Sequence, residues 1–288
     1  MKPFESVVES VEAASALDAP GEAVARTVRG VLSPGGVKDA ISGTWLGHAL
    51  HPMLTDVIIG SFTSATMLDL FGGKKSAPAS ERLIAIGIAA YGPTALTGVS
   101  DWTDSEYGDD AVRLVGVVHA GSNALALALY TASLRARRRG ARGKGIVLGG
   151  VGAGVLGFAG YLGGHLTFAK GVGVDQTSFD PGPDEWHAAA DVSQLAERTP
   201  VSVVVDETPV CLLRDGDTVH AVHDRCSHRG CSLSDGTLDG VLIECPCHGS
   251  RFDVRDGSIA RGPATQPQPA FEVREREGQI EIRLAKAR

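Results

Sequence analysis

The chain lacks an excess of basic charge. Its 27 Lys and Arg stand against 34 Asp and Glu, a formal net charge of −7. That balance, with an isoelectric point near 5.7, argues against nucleic acid as the main partner. Cysteine is also scarce: there are five in 288 residues, none before Cys211. A chain of this length can bury a core and is no small disulfide-stapled peptide. The first 47 residues contain Pro3, Glu5, Glu9 and Glu12 and no apolar h-region, so no cleavable signal peptide is expected. Disorder is excluded by 43% hydrophobic and 21% charged residues. The mean hydropathy of +0.04 is high for a soluble protein and low for a membrane protein. Two unlike halves resolve it.

Charge is missing altogether from two long stretches, Leu114–Leu134 and Ile146–Phe168. With Pro52–Phe71, which carries Asp56 and Asp69, and Leu83–Ser100, which contains Pro93, they make four apolar segments. Each is about 18–23 residues, enough to cross a ~30 Å hydrocarbon core. A soluble bundle of Gly/Ala-rich helices is the alternative. Lys74, Lys75 and Arg82 follow the first segment; Arg135, Arg137, Arg138, Arg139, Arg142 and Lys144 follow the third. Asp101, Asp104, Glu106, Asp109 and Asp110 lie between the second and third. Basic loops stay cytoplasmic, so both termini are expected outside. Trp45, Trp102 and Trp186 then fall at the outer ends of the spans, as interface anchors. Arg137-Arg138-Arg139 reads either as an ordinary positive-inside cluster or as a twin-arginine export signal. Phe4, Val7, Val8 and Val11, then Val24, Val28, Val31 and Leu32, recur at helical spacing. They predict two short amphipathic helices packed on the outer face.

The strongest chemical signal lies near the C-terminus. Cys226-Ser227-His228 is followed by Cys245-Pro246-Cys247-His248, the pattern C-x-H…C-x-x-H. Two loops each present one thiolate and one imidazole. A [2Fe–2S] cluster with two Cys on one iron and two His on the other needs that set. Tetrahedral zinc also takes Cys2His2, but zinc fingers pair like with like in each half. Around this pattern, short strands are expected over Val201–Val205, Val210–Arg214, Val219–His223, Val241–Glu244, Ile259–Ala260, Phe271–Glu275 and Ile280–Leu284, with turns such as Asp215-Gly216 between them. Cys211 sits in an apolar run and reads as core.

The strings C-S-H-R-G-C and C-P-C-H-G-S-R-F-D, with Gly257, Gly262 and Pro263, resemble the Rieske iron–sulfur family over residues 185–286. The resemblance implies a [2Fe–2S] cluster on Cys226, His228, Cys245 and His248. It also implies a Cys231–Cys247 disulfide of the kind found in cytochrome bc-type complexes, two buried thiols being the alternative. Such a bond closes about 17 residues, worth ~3 kcal/mol by the entropy model, and fits an oxidising compartment. Ser250 matches the serine that hydrogen-bonds a cluster sulfide, and Pro263 lies in the proline loop. High-potential members usually carry Tyr where this chain has Phe252, which removes one donor. The expected potential therefore lies below the bc-complex range and above that of Rieske ferredoxins lacking both groups. The general range is about −150 to +300 mV. Arg229 stands where bc-type proteins often have Leu, which weighs against quinol docking.

Four histidines remain in the membrane part: His48, His51, His119 and His165. All fall toward the outer leaflet of the expected topology, and polar groups in a membrane are usually functional. A haem b with His119 and His165 as axial ligands is one reading, His48 or His51 substituting. A quinone or metal site using His51 with Asp56 is another, and structural hydrogen bonding is the third. Residues 45–170, with His51-Pro52-Met53-Leu54, resemble an uncharacterised four-helix bacterial membrane-domain family (domain-of-unknown-function family 2231).

The chain thus reads as multidomain: an α-helical four-span membrane bundle followed by an all-β Rieske domain. Residues 1–47 form an amphipathic N-terminal segment, 48–170 the transmembrane domain, 171–184 a linker and 185–288 the Rieske domain. The expected role is a membrane-anchored carrier of single electrons in the cell membrane, its Rieske domain extracytoplasmic and its partners redox proteins or quinone. Exposed His228 and His248 would couple the electron to a proton. The alternatives are a ferredoxin-like donor to an oxygenase and a redox-sensing or assembly membrane protein.

Overall fold

A computed structural model describes residues 5–285; Phe4 of the first helical pattern lies outside them. The helices are α1 (Glu5–Glu12), α2 (Asp18–Val31), α3 (Gly36–Ser42), α4 (Leu50–Phe71), α5 (Ala77–Ser105), α6 (Asp110–Arg138) and α7 (Arg142–Phe168). The strands are β1 (His187–Asp191), β2 (Val201–Val205), β3 (Thr208–Asp215), β4 (Thr218–His223), β5 (Thr237–Asp239), β6 (Leu242–Glu244), β7 (Arg251–Asp253), β8 (Ile259–Arg261), β9 (Ala270–Arg276) and β10 (Gln279–Leu284). The chain divides into two compact units. One holds the residues up to Leu32 and Leu50–Val172; the other holds Ser33–Ala49 and the residues from Gly173 onward.

In the helical unit, α4, α5, α6 and α7 are each long and apolar enough to cross a membrane. Only 22% to 28% of the residues in their apolar windows are buried. A helix that is apolar yet unburied on most of its surface needs an apolar solvent around it. Pro78 opens α5 in its first turn, where a missing N–H costs nothing. The Asp109 side chain caps α6 by accepting from the Val112 N–H at 3.1 Å. The Phe62 ring of α4 stacks on Tyr130 of α6 with centroids 3.7 Å apart. Val8 of α1 joins Val112, Val115, Leu162 and Leu166 in a second core. At that end the buried Glu106 carboxylate is gripped by Arg29 of α2 and by Arg113, the latter at 3.1 Å.

The other end of this unit holds a buried ion pair. Arg137 Nη1 donates to Asp69 Oδ1 at 2.9 Å and Nη2 to Oδ2 at 2.5 Å. The side chains are 4% and 6% exposed. Ser80 Oγ donates to Asp69 Oδ1, and Arg137 Nε donates to Ser133 Oγ. Arg137 is therefore committed inside the bundle.

The second unit is all-β apart from α3. A six-stranded antiparallel sheet runs β1-β10-β9-β4-β3-β2, and a four-stranded one runs β5-β6-β7-β8. Cys211, 1% exposed, lies in β3 within the core formed with Leu213, Val222, Leu233, Ile243 and Phe252. Two expectations change here. The segment 1–47 does not stay together: α1 and α2 belong to the helical unit and Ser33–Ala49 to the β unit. Residues 171–184 are not a free linker, because Gln176 N–H donates to Ser227 O and Thr208 Oγ1 to Asp180 Oδ1. The Trp186 ring meets the guanidinium groups of Arg274 and Arg283, 4.2 and 4.7 Å from its centroid.

Removing one partner of a buried ion pair strands the other charge, at a cost of about 3–5 kcal/mol. Asp69→Ala is expected to lower the unfolding free energy of the detergent-solubilised protein by that order. Asp69→Leu combined with Arg137→Met is expected to lose much less. Equal losses would contradict a paired arrangement.

Candidate metal centre

Three loops meet at one end of the four-stranded sheet. The first joins β4 to β5 and carries Cys226, His228 and Cys231. The second joins β6 to β7 and carries Cys245, Cys247 and His248. The third joins β8 to β9 and carries Pro263 after a cis Gly262–Pro263 bond. The first two are built alike. The Gly230 N–H donates to Cys226 O at 2.8 Å, and the Gly249 N–H to Cys245 O at 3.1 Å. Both glycines have positive φ, +80° and +75°, a conformation that glycine enters without a Cβ clash. Each turn also points two backbone N–H groups at its cysteine sulfur: those of His228 and Arg229 at Cys226, and those of Cys247 and His248 at Cys245.

Cys231 and Cys247 form a disulfide that joins the two loops. Cys226 and Cys245 are free and buried, 1% and 2% exposed. Their sulfurs share a hydrogen bond. Donation to Cys245 pushes the Cys226 thiol well up, while accepting it pulls Cys245 down to about 7. Cys245 Sγ also lies within 4.8 Å of both disulfide sulfurs, but bonded sulfurs carry no thiolate and make poor metal ligands.

The His228 and His248 rings meet edge to face, centroids 5.0 Å apart. Both residues are half-buried rather than exposed. Burial, then the charges of His248, Arg229 and Lys38, pushes His228 down to about 3, so its imidazole is neutral. Its Nδ1 is buried with no hydrogen-bond partner.

Around this set stand residues that the sequence reading passed over. Gln268, 2% exposed, donates from Nε2 to His223 O and Arg225 O and accepts from the Ser227 N–H at 2.7 Å. Asp224, 4% exposed, accepts from the Ser234 N–H and from the Ser202 and Ser232 hydroxyls. Ser250 Oγ accepts from the Ala264 N–H at 3.0 Å, which leaves its own hydrogen for another acceptor. Phe252 is fully buried and brings no hydroxyl.

Three of the four membrane histidines hold hydrogen-bond partners within the helical unit. His119 uses Nδ1 on Ala159 O at 2.8 Å and Nε2 on Asn123 at 3.2 Å. His165 Nε2 meets Glu12 Oε1 at 3.0 Å, and His51 Nδ1 meets Thr94 O at 3.0 Å. His48 is exposed and belongs to the β unit.

Residues 185–272 match the Rieske [2Fe–2S] domain family, and residues 47–176 match a family described as predicted membrane protein (DUF2231). The anthranilate 1,2-dioxygenase ferredoxin subunit of Burkholderia cepacia is 33% identical over 100 residues, 35% of this chain and 93% of that protein. Ferredoxin CarAc of Metapseudomonas resinovorans is 45% identical over 78 residues, 27% of this chain and 73% of that protein. Among solved structures, the ferredoxin of carbazole 1,9a-dioxygenase from Nocardioides aromaticivorans IC177 is 35% identical, covering 33% of this chain and 94% of that one at a TM-score of 0.32. Two paired loops, each offering one free thiol and one imidazole, define an iron–sulfur electron-transfer domain. The chain belongs to the Rieske family, its [2Fe–2S] domain fused to a DUF2231 membrane domain. The donor set fits the cluster that this family implies: a buried free thiol in each loop, backbone N–H groups aimed at each sulfur, and an orphaned imidazole nitrogen.

Gln268→Leu would strand three buried backbone groups. An unsatisfied buried group costs about 1–3 kcal/mol, so the unfolding free energy of the β unit within the full chain is expected to fall by that order and its urea midpoint with it. The visible absorbance of the cluster should also bleach faster. An unchanged midpoint would contradict the role given to this amide.

Proposed function

We propose that this protein is a membrane-anchored carrier of single electrons, with Cys226, Cys245, His228 and His248 as the ligands of a [2Fe–2S] cluster. The observation that carries this is the pair of matched loops, locked together by the Cys231–Cys247 disulfide. The cluster, when bound, cycles by one electron, and two neutral imidazoles in place of thiolates raise its potential. The chain's own residues do the rest. Backbone N–H groups neutralise thiolate charge, the disulfide holds the loops in register, and the buried Leu233, Ile243 and Phe252 keep water out.

The disulfide and the acidic loop between α5 and α6 favour an extracytoplasmic Rieske domain. A haem b or quinone on the membrane histidines is not part of the proposal. Donation to an oxygenase is the second reading, favoured by relatives that are themselves dioxygenase ferredoxin subunits.

Cys226→Ser and Cys245→Ser are expected to abolish the Rieske EPR signal of purified full-length protein, while Cys211→Ser leaves it intact. Dependence on Cys231 and Cys247 with indifference to His228 and His248 would point to a different metal site. On intact cells, protease should cleave residues 185–288. Their protection would favour a cytoplasmic donor.

A further inference from the structure

Residues 33–49 precede α4 and lie far outside the matched Rieske sequence, yet they are part of the same compact unit. They grip the proline loop at three points. Asp39 Oδ1, on α3, accepts from the Gly262 N–H at 3.0 Å. Thr44 Oγ1 approaches Ala264 O at 3.5 Å. Gln266 Nε2 donates to Gly47 O at 2.5 Å. The fit at Gly262 leaves no room for a side chain, since a Cβ there would sit 2.5 Å from Thr44 Oγ1 and 3.0 Å from Asp39 Oδ1.

The gripped loop in turn holds both ligand loops. The Ala264 N–H donates to Ser250 Oγ beside the second, and Ser227 Oγ of the first donates to Gln266 O at 2.8 Å. Lys38, the neighbour of Asp39, is only 4% exposed.

We infer that residues 33–49 form a strap that completes the cluster site, with Asp39 as the positioning residue that holds the proline loop against both ligand loops. This rests on the ligand assignment proposed above.

The test is hydrogen exchange on the full chain in detergent, read beside its EPR spectrum. Asp39→Ala removes the acceptor of the Gly262 N–H and should speed exchange of that amide about tenfold or more, while Asp39→Asn, which keeps an acceptor, should stay near the parent rate. An unchanged rate in Asp39→Ala would show that the strap does not hold the loop. The same variant is expected to keep a Rieske signal with altered line shape or midpoint, and Asp39→Asn to restore the parent signal. A parent-like signal beside faster exchange overturns the action of the strap on the cluster. Absence of any Rieske signal in the parent overturns the ligand assignment, a failure that the exchange rates tell apart from that of the strap.

Discussion

Two buried sulfurs facing each other across a disulfide-bridged pair of loops are the constraint on which the β unit depends. Cys226 and Cys245 sit at 1% and 2% exposure, where an unpaired charge would be costly. The fold answers with backbone N–H groups directed at each sulfur and with glycines that let the two turns close. It answers again with Gln268 and Asp224, which satisfy the polar groups of the first loop. A site built this way loses little by reorganisation when its charge changes by one electron. The same low exposure that makes the polar groups demanding also strengthens their fields.

The helical unit solves a related problem with different means. Its apolar helices leave most of their surface uncovered, so packing depends on a few specific contacts. Phe62 on Tyr130 fills the centre, and ion networks fasten the ends. Asp69 and Arg137 are ionised groups placed where neither could be tolerated alone. His51, His119 and His165 add hydrogen bonds between neighbouring helices or chain segments.

Much of this was legible in the sequence. The four apolar segments fell inside α4, α5, α6 and α7 because length and apolarity are physical requirements of a span. The ligand spacing and the strands from Val201 to Leu284 were readable for similar reasons, since alternation and turn residues mark them. The strands β1, β5 and β7 were not, β5 and β7 being only three residues long. Gln268 and Asp224 look like surface residues in a sequence, and only the fold shows them buried. The ion pair of Arg137 with Asp69 and the cation–π contacts of Trp186 join residues far apart in the chain and have no local signal. The strap escaped notice because a short segment with one seven-residue helix has no periodicity to read.

Mössbauer spectroscopy of the purified, iron-57-enriched full chain tests the central claim most directly. Two iron sites that differ from each other, with the added electron localised on one of them after reduction, are what a mixed Cys2His2 cluster predicts. Two equivalent irons would contradict the assignment of one thiolate pair and one imidazole pair. Absence of any iron-57 spectrum from the purified protein would contradict the cluster altogether.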